Sequence, residues 1–170
     1  MLPIEHFLVA VLPITAYVIV RDRQLPPPKL VGLTFVGSQF PDLVDKPLAH
    51  VLHVLPSGRV FMHSLPFALP IAAVAIAYGW WTDRPRLGTG FAFAYLSHLV
   101  ADNYRTLRPP DPHISPDLLW PFRQPITRPP IPYWAGPGSI NLALWTAFSI
   151  TVLAICTYLL ICDVQTHYRQ

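Results

Sequence analysis

Long uncharged runs alternate with short polar connections along the chain. Residues 139–162 are apolar, and no charged residue lies between Arg128 and Asp163. Residues 60–82 form a second run between Arg59 and Asp83, and residues 6–20 form a third that ends at Arg21. A fourth, residues 87–101, is shorter and can extend through Asp102 to Tyr104. A crossing helix needs about 20 apolar residues to cover roughly 30 Å of hydrocarbon. These runs therefore predict membrane spans, with Trp80 and Trp81 as interfacial anchors at the end of the second. A fifth run, residues 30–41, has 12 residues and would reach only about 18 Å as a helix. It predicts a half-helix, a re-entrant piece, or a helix that continues past its charged ends. Pro41 followed by Asp42 suits a helix start.

The connections differ in kind. Residues 21–29 are short and carry a proline triplet, and residues 83–86 predict a tight turn. Residues 105–138 are long, and ten of the 21 prolines fall between Pro109 and Pro137. A connection of that length is functional or disordered. Its LLWPF (118–122) and IPYW (131–134) segments are too aromatic for a solvated linker, so it is expected to fold back over the membrane face. The expected fold is all-α: one integral membrane domain over residues 1–170, with four to five apolar helices and a Pro-rich loop at 105–138.

Composition agrees with this reading. Charged residues make up 12% of the chain, against about 25% in soluble domains, and 52% of residues are hydrophobic. Mean hydropathy is +0.39. The net charge of +3 is spread thinly and forms no basic stripe, which argues against nucleic acid as a partner. The hydrophobicity excludes disorder. So many prolines imply long irregular connections beside any helical bundle. Cys156 and Cys162 sit on different faces of one run and cannot pair within it, so they read as lipid-facing or packed thiols. The first run has no basic residues before it, carries Glu5 and is followed by Arg21 and Arg23. That order is unlike a signal peptide and sets the chain start outside, with Arg21 cytoplasmic.

Ionisable groups in or beside apolar runs are functional candidates, because lipid makes them expensive. Following the chain across the membrane brings six of them to one face. His6 opens the first run, Asp42 and Asp45 follow the short one, His63 stands near the start of the next, and His98 and Asp102 close the fourth. This convergence requires the short segment to complete its return. His98 and Asp102 are spaced i, i+4 and share a helix face, and Asp42 and Asp45 are i, i+3. Imidazole with carboxylate is a ligand set for zinc, or for manganese or iron with more oxygen.

Plainer roles compete. His98 and Asp102 suit an ion pair between helices, and Asp42 and Asp45 suit a helix cap and first-turn charge. His50 and His53 read as surface residues, and His113 and His167 as loop and tail. Arg59 suits an anion clamp or a headgroup contact. Ser64 reads as a helix-end hydrogen-bonder.

The ordered motifs GSQFPDLVD (37–45), GRVFMHSL (58–65), SHLVAD (97–102) and LLWPF (118–122), with His6 ahead of them, resemble the membrane-bound metal-dependent hydrolases. Some of these are described as LexA-binding and inner-membrane-associated. The resemblance covers His6 to Phe122. It implies an all-α membrane fold and metal ligands at His6, Asp42, Asp45, His63, His98 and Asp102. It departs where many members have His-Arg and this chain has Gly58-Arg59, which removes one ligand or phosphate contact.

The expected function is a multi-pass cell-membrane hydrolase. A divalent metal, zinc first and manganese or iron next, would activate water against an ester or phosphoester at the bilayer face. Arg59 would neutralise a phosphate. The expected partners are the bilayer and a lipid or phosphoester substrate. The alternative is a non-enzymatic membrane protein, a small transporter or interaction module, with a buried His/Asp relay. The short connections carry much of the positive charge, which sets the candidate site on the outer side.

Overall fold

The computed structural model describes residues 3–107, 113–126 and 140–168, with the side chains of residues 140–142 excepted. Five helices account for most of them: α1 (Pro3–Asp22), α2 (Pro28–His50), α3 (Leu65–Trp81), α4 (Pro85–Asn103) and α5 (Ile140–Tyr168). A single 3₁₀ turn, Pro116–Leu119, lies between α4 and α5. No strand occurs among the described residues. Two helices, α1 and α5, are long and apolar enough to cross a membrane, and α3 is a shorter apolar helix of 17 residues.

Proline placement organises the chain. Pro28 and Pro85 open α2 and α4, and Pro66 sits at the second position of α3. Proline fits there because the first N–H groups of a helix have no intrahelical partner and its φ is already helical. Others lie inside helices: Pro13 in α1, Pro41 and Pro47 in α2, and Pro70 in α3. Much of the proline excess thus sits in the helices, not only in irregular connections.

The short run at residues 30–41 takes its extended option. It is the first half of α2, a 23-residue helix that runs on through Asp42, Asp45 and Pro47. Pro41–Asp42 is therefore no helix start. The helix continues because both carboxylates point into protein, where they are 2% and 0% exposed. The run at 60–82 is shorter as a helix than expected. Its first five residues belong to the connection that carries His63, and α3 starts at Leu65.

Helices α2 and α4 form the centre, with α1 against both, α3 against α4, and α5 along α2. Close approach is carried by glycine. A Cβ on Gly37 would lie 2.9 Å from the Phe91 carbonyl oxygen, and one on Gly88 would lie 2.3 Å from that of Ala75. Small residues that let backbones touch are the usual solution where helices pack in lipid. Helix α3 ends in a six-residue motif: Arg84 N–H donates to Gly79 C=O (2.7 Å) and Asp83 N–H to Trp80 C=O (3.2 Å). Asp83 takes the left-handed position that glycine usually fills there, at φ 55°.

The core cluster is Ala68, Tyr95, Leu99 and Leu118. Leu118 comes from the LLWPF segment, and Trp120 of the same segment meets Phe61 and Phe67 at ring distances of 6.4 and 5.9 Å. This stretch therefore folds back against the end of the bundle that carries His63. The IPYW segment at 131–134 and the prolines at 109, 110, 112, 129, 130, 132 and 137 lie outside the described residues.

Candidate metal centre

The antiparallel course of α1, α2, α3 and α4 brings the start of α1, the second half of α2, the start of α3 and the end of α4 to one end of the bundle. All six predicted ligands meet there. His6, Asp42, Asp45, His63 and His98 are at most 2% exposed, and the Asp102 side chain is 3% exposed. His63 is carried on the connection before α3. Tyr95 of α4 fixes that connection by donating its hydroxyl to the Met62 carbonyl at 2.6 Å.

Three donor atoms, from Asp42, His63 and His98, stand together, and Asp102 lies near both histidines. His63 Nε2 and His98 Nε2 lie 3.2 Å apart. Asp42 Oδ1 is 3.4 Å from the first and 4.0 Å from the second. Asp102 Oδ2 is 3.7 and 3.8 Å from the same two nitrogens. Zinc–ligand bonds of about 2.0–2.1 Å in a tetrahedron require donor separations of about 3.3–3.4 Å. The His63–Asp42 edge matches that figure, the His63–His98 edge is slightly shorter, and the other three are about 0.3–0.7 Å longer.

The other polar atom of each donor residue is held. His63 Nδ1 donates to Asp45 Oδ2 at 2.8 Å, and Asp45 also accepts the backbone N–H of Met62 (2.9 Å) and of His63 (3.3 Å). His98 Nδ1 donates to the Ser38 carbonyl at 2.6 Å. Lys46 Nζ pairs with Asp42 Oδ2. Arg59 and His6 Nε2 both reach Asp102 Oδ1, at 3.2 and 3.3 Å. With Nδ1–H committed in His63 and His98, each Nε2 presents its lone pair inward. Two lone pairs at 3.2 Å repel unless a proton or cation lies between them.

Charge leads to the same point. Three carboxylates face two cations, Lys46 and Arg59, which leaves one negative charge in a buried pocket. A buried charge must be paired. Burial drives His63 towards its neutral form, but hydrogen bonds to Asp42 and Asp45 and the charges of both outweigh it, and its pKa rises to about 9. Without a cation, the pocket draws in a proton.

The six residues do not play one role. Asp42, His63 and His98 form one group able to hold a metal, and His6, His98 and Asp102 a second. Asp45 is committed to His63 and the backbone. His6 stacks on His98 at 3.9 Å, and its buried Nδ1 has no hydrogen-bond partner. Arg59 is one-third exposed and holds Asp102, so only part of its guanidinium faces outward. Lys46 and Ser38 were not candidates on sequence. Lys46 was discoverable from its i, i+4 spacing to Asp42, whereas a backbone carbonyl leaves no sequence signal.

The remaining histidines lie elsewhere. His50, expected at the surface, is half-buried at the end of α2 beside Gly58; His53 is exposed beside the Ala49 carbonyl, His113 is exposed, and His167 packs on Trp81 at 4.5 Å. Ser64 donates to the Phe61 carbonyl at the start of α3, and both cysteines are free and half-buried.

An all-helical chain with long lipid-compatible helices and a buried His/Asp cluster defines a membrane-associated protein. The family comparison makes this specific: the chain belongs to the YdjM inner membrane protein family, whose model matches residues 1–166. No curated protein and no solved structure matches it.

Proposed function

We propose that the cluster is a divalent-cation centre and that the chain is a membrane-embedded, metal-dependent hydrolase of an ester or phosphoester at the bilayer face. The observation that carries the metal is the buried group of His63 Nε2, His98 Nε2 and Asp42 Oδ1, with Asp102 Oδ2 near both nitrogens, each residue braced from behind. His63, His98, Asp42 and Asp102 would hold the ion. Zinc suits the nitrogen-and-oxygen set, and manganese or iron would use it with added oxygen ligands. Such an ion polarises a carbonyl or phosphoryl oxygen and lowers the pKa of water. The residues of this chain set the rest. Asp45 fixes the His63 tautomer, His6 and Arg59 orient Asp102, and the outward part of Arg59 offers charge to an anionic group of the substrate.

In this reading α2, α3 and α4 cross the bilayer with α1 and α5. At 23, 17 and 19 residues they reach about 35, 26 and 29 Å. The connections at 23–27 and 82–84 then lie in the cytoplasm and the centre at the outer face. Reporter fusions after Val20 and Arg86 check this by giving cytoplasmic signals.

One observation favours a second reading. With Asp102 added to Asp42, His63 and His98, four protein donors would close a tetrahedral shell, whereas a catalytic zinc keeps an open position. A structural or ion-relay centre fits a closed shell. Purified protein loaded with zinc separates the two when assayed on a chromogenic phosphodiester and a chromogenic ester. Hydrolysis lost in Asp42→Asn supports the enzyme. Bound zinc without turnover of either substrate rejects it, and proton flux in liposomes abolished by Asp102→Asn then supports the relay.

A further inference from the structure

The other end of the bundle carries a feature that the metal centre does not use. A cleft of about 550 Å³ opens between the second half of α1 and the first half of α4. Pro13, Ile14 and Val18 line one wall, Gly90 and Phe93 the other, and Leu30 of α2 contributes to the lining between them. Leu30 packs directly on Gly90, where a Cβ would lie 2.6 Å from it, and so forms the floor of the cleft. The volume falls in the range of small-molecule sites, about 300–1,000 Å³.

Two arginines stand at its mouth. Arg21 ends α1 and Arg86 begins α4, and both line the cleft. Asp22 takes Arg86 through both carboxylate oxygens, at 2.6 and 3.2 Å, and lies 3.9 Å from Arg21. One carboxylate against two guanidinium groups leaves a net positive rim. The side chains of Arg21 and Arg86 are more than half exposed, and beyond the bonds of Arg21 to the Tyr17 hydroxyl and of Arg86 to Asp22 each guanidinium keeps N–H groups for an anion. From Pro13 to Arg21 the cleft runs eight residues along α1, about 12 Å. Half of a bilayer's hydrocarbon core is about 15 Å. An apolar slot one leaflet deep, with a cationic mouth at the headgroup level, matches an anionic amphiphile set along the bilayer normal.

We propose that this cleft binds one anionic phospholipid, its acyl chain between α1 and α4 and its phosphate on Arg21 and Arg86. Basic pockets between helices on the cytoplasmic side recognise anionic headgroups, which agrees with the side to which the short connections assign this end. The site is separate from the His/Asp centre and stands whether or not that centre holds a metal.

Native mass spectrometry of the full chain from nanodiscs of equimolar phosphatidylglycerol and phosphatidylcholine tests this. The wild type retains phosphatidylglycerol about fivefold over phosphatidylcholine, the effect of one net basic charge at the surface. Arg21→Gln removes that preference while a lipid stays bound. Thr89→Trp fills the cleft and expels both lipids. Arg21 is exposed and Thr89 faces the cleft, so neither change strips the core, and retained helical circular dichroism verifies the fold. Equal retention of the two lipids by the wild type, or lipid still bound to Thr89→Trp, overturns the proposal.

Discussion

The two ends of the helix bundle use the same residue types in opposite ways. At one end, three aspartates and three histidines are buried to within 3% of full enclosure and braced by Lys46, Arg59 and a backbone carbonyl. At the other, Asp22 pairs with Arg86 and Asp163 with Arg84, with 24–54% of each side chain exposed. Exposed pairs gain little, about 0–1 kcal/mol, because water and salt screen them. Buried charges cannot rely on water, so each must be matched by a neighbour, and removal of one strands the rest. The exposed end joins helices, and its arginines remain available to solvent. The buried end sets three carboxylates against Lys46, Arg59 and the histidines.

The sharpest break in this contrast is His98→Ala. It removes one inward nitrogen and the stack on His6, and the expected outcome is loss of essentially all bound zinc, read by elemental analysis of the purified chain. Gly88→Val acts on neither end and isolates packing. Its Cβ would meet the Ala75 carbonyl, which is backbone and cannot rotate away, so a loss of about 1–3 kcal/mol is expected in a thermal melt in detergent. Asp45→Asn leaves all four inward donors in place but weakens the hold on His63. Zinc affinity should fall about 10–100-fold by competition titration, with full occupancy recovered at high zinc. Asp163→Asn removes the charge facing Arg84 and leaves one acceptor oxygen for Tyr78 and Arg84 to share at the exposed end. It should change stability by about 1 kcal/mol or less and leave zinc content untouched.

How much was legible in the sequence follows the same division. Uncharged runs located the apolar stretches of α1, α3, α4 and α5, because in α1, α4 and α5 the charges lie near the helix ends and α3 has none. They left α2 open among three options, because Asp42 and Asp45 interrupt the run yet lie inside the helix. A charge marks the end of an apolar run only if it faces water or headgroups, and these two face protein. The meeting of His6, Asp42, Asp45, His63, His98 and Asp102 was legible, since chain direction alone assigns each to one end. Their separate roles were not. Spacing says that Asp42 and Asp45 can share a face, but not that Asp45 turns to His63 Nδ1 while Asp42 meets Nε2. That division depends on the position of the His63 connection, which Tyr95 and Met62 set from distant parts of the chain.

X-ray absorption spectroscopy of the zinc-loaded chain, with elemental analysis on the same sample, reads the centre itself. One zinc per chain is expected, with imidazole nitrogens from His63 and His98 and carboxylate oxygens from Asp42 and Asp102 at about 2.0–2.2 Å. That signal is expected to be lost in His98→Ala. A wild-type chain that retains no divalent cation, or a His98→Ala chain whose metal content and spectrum are unchanged, would contradict the metal assignment.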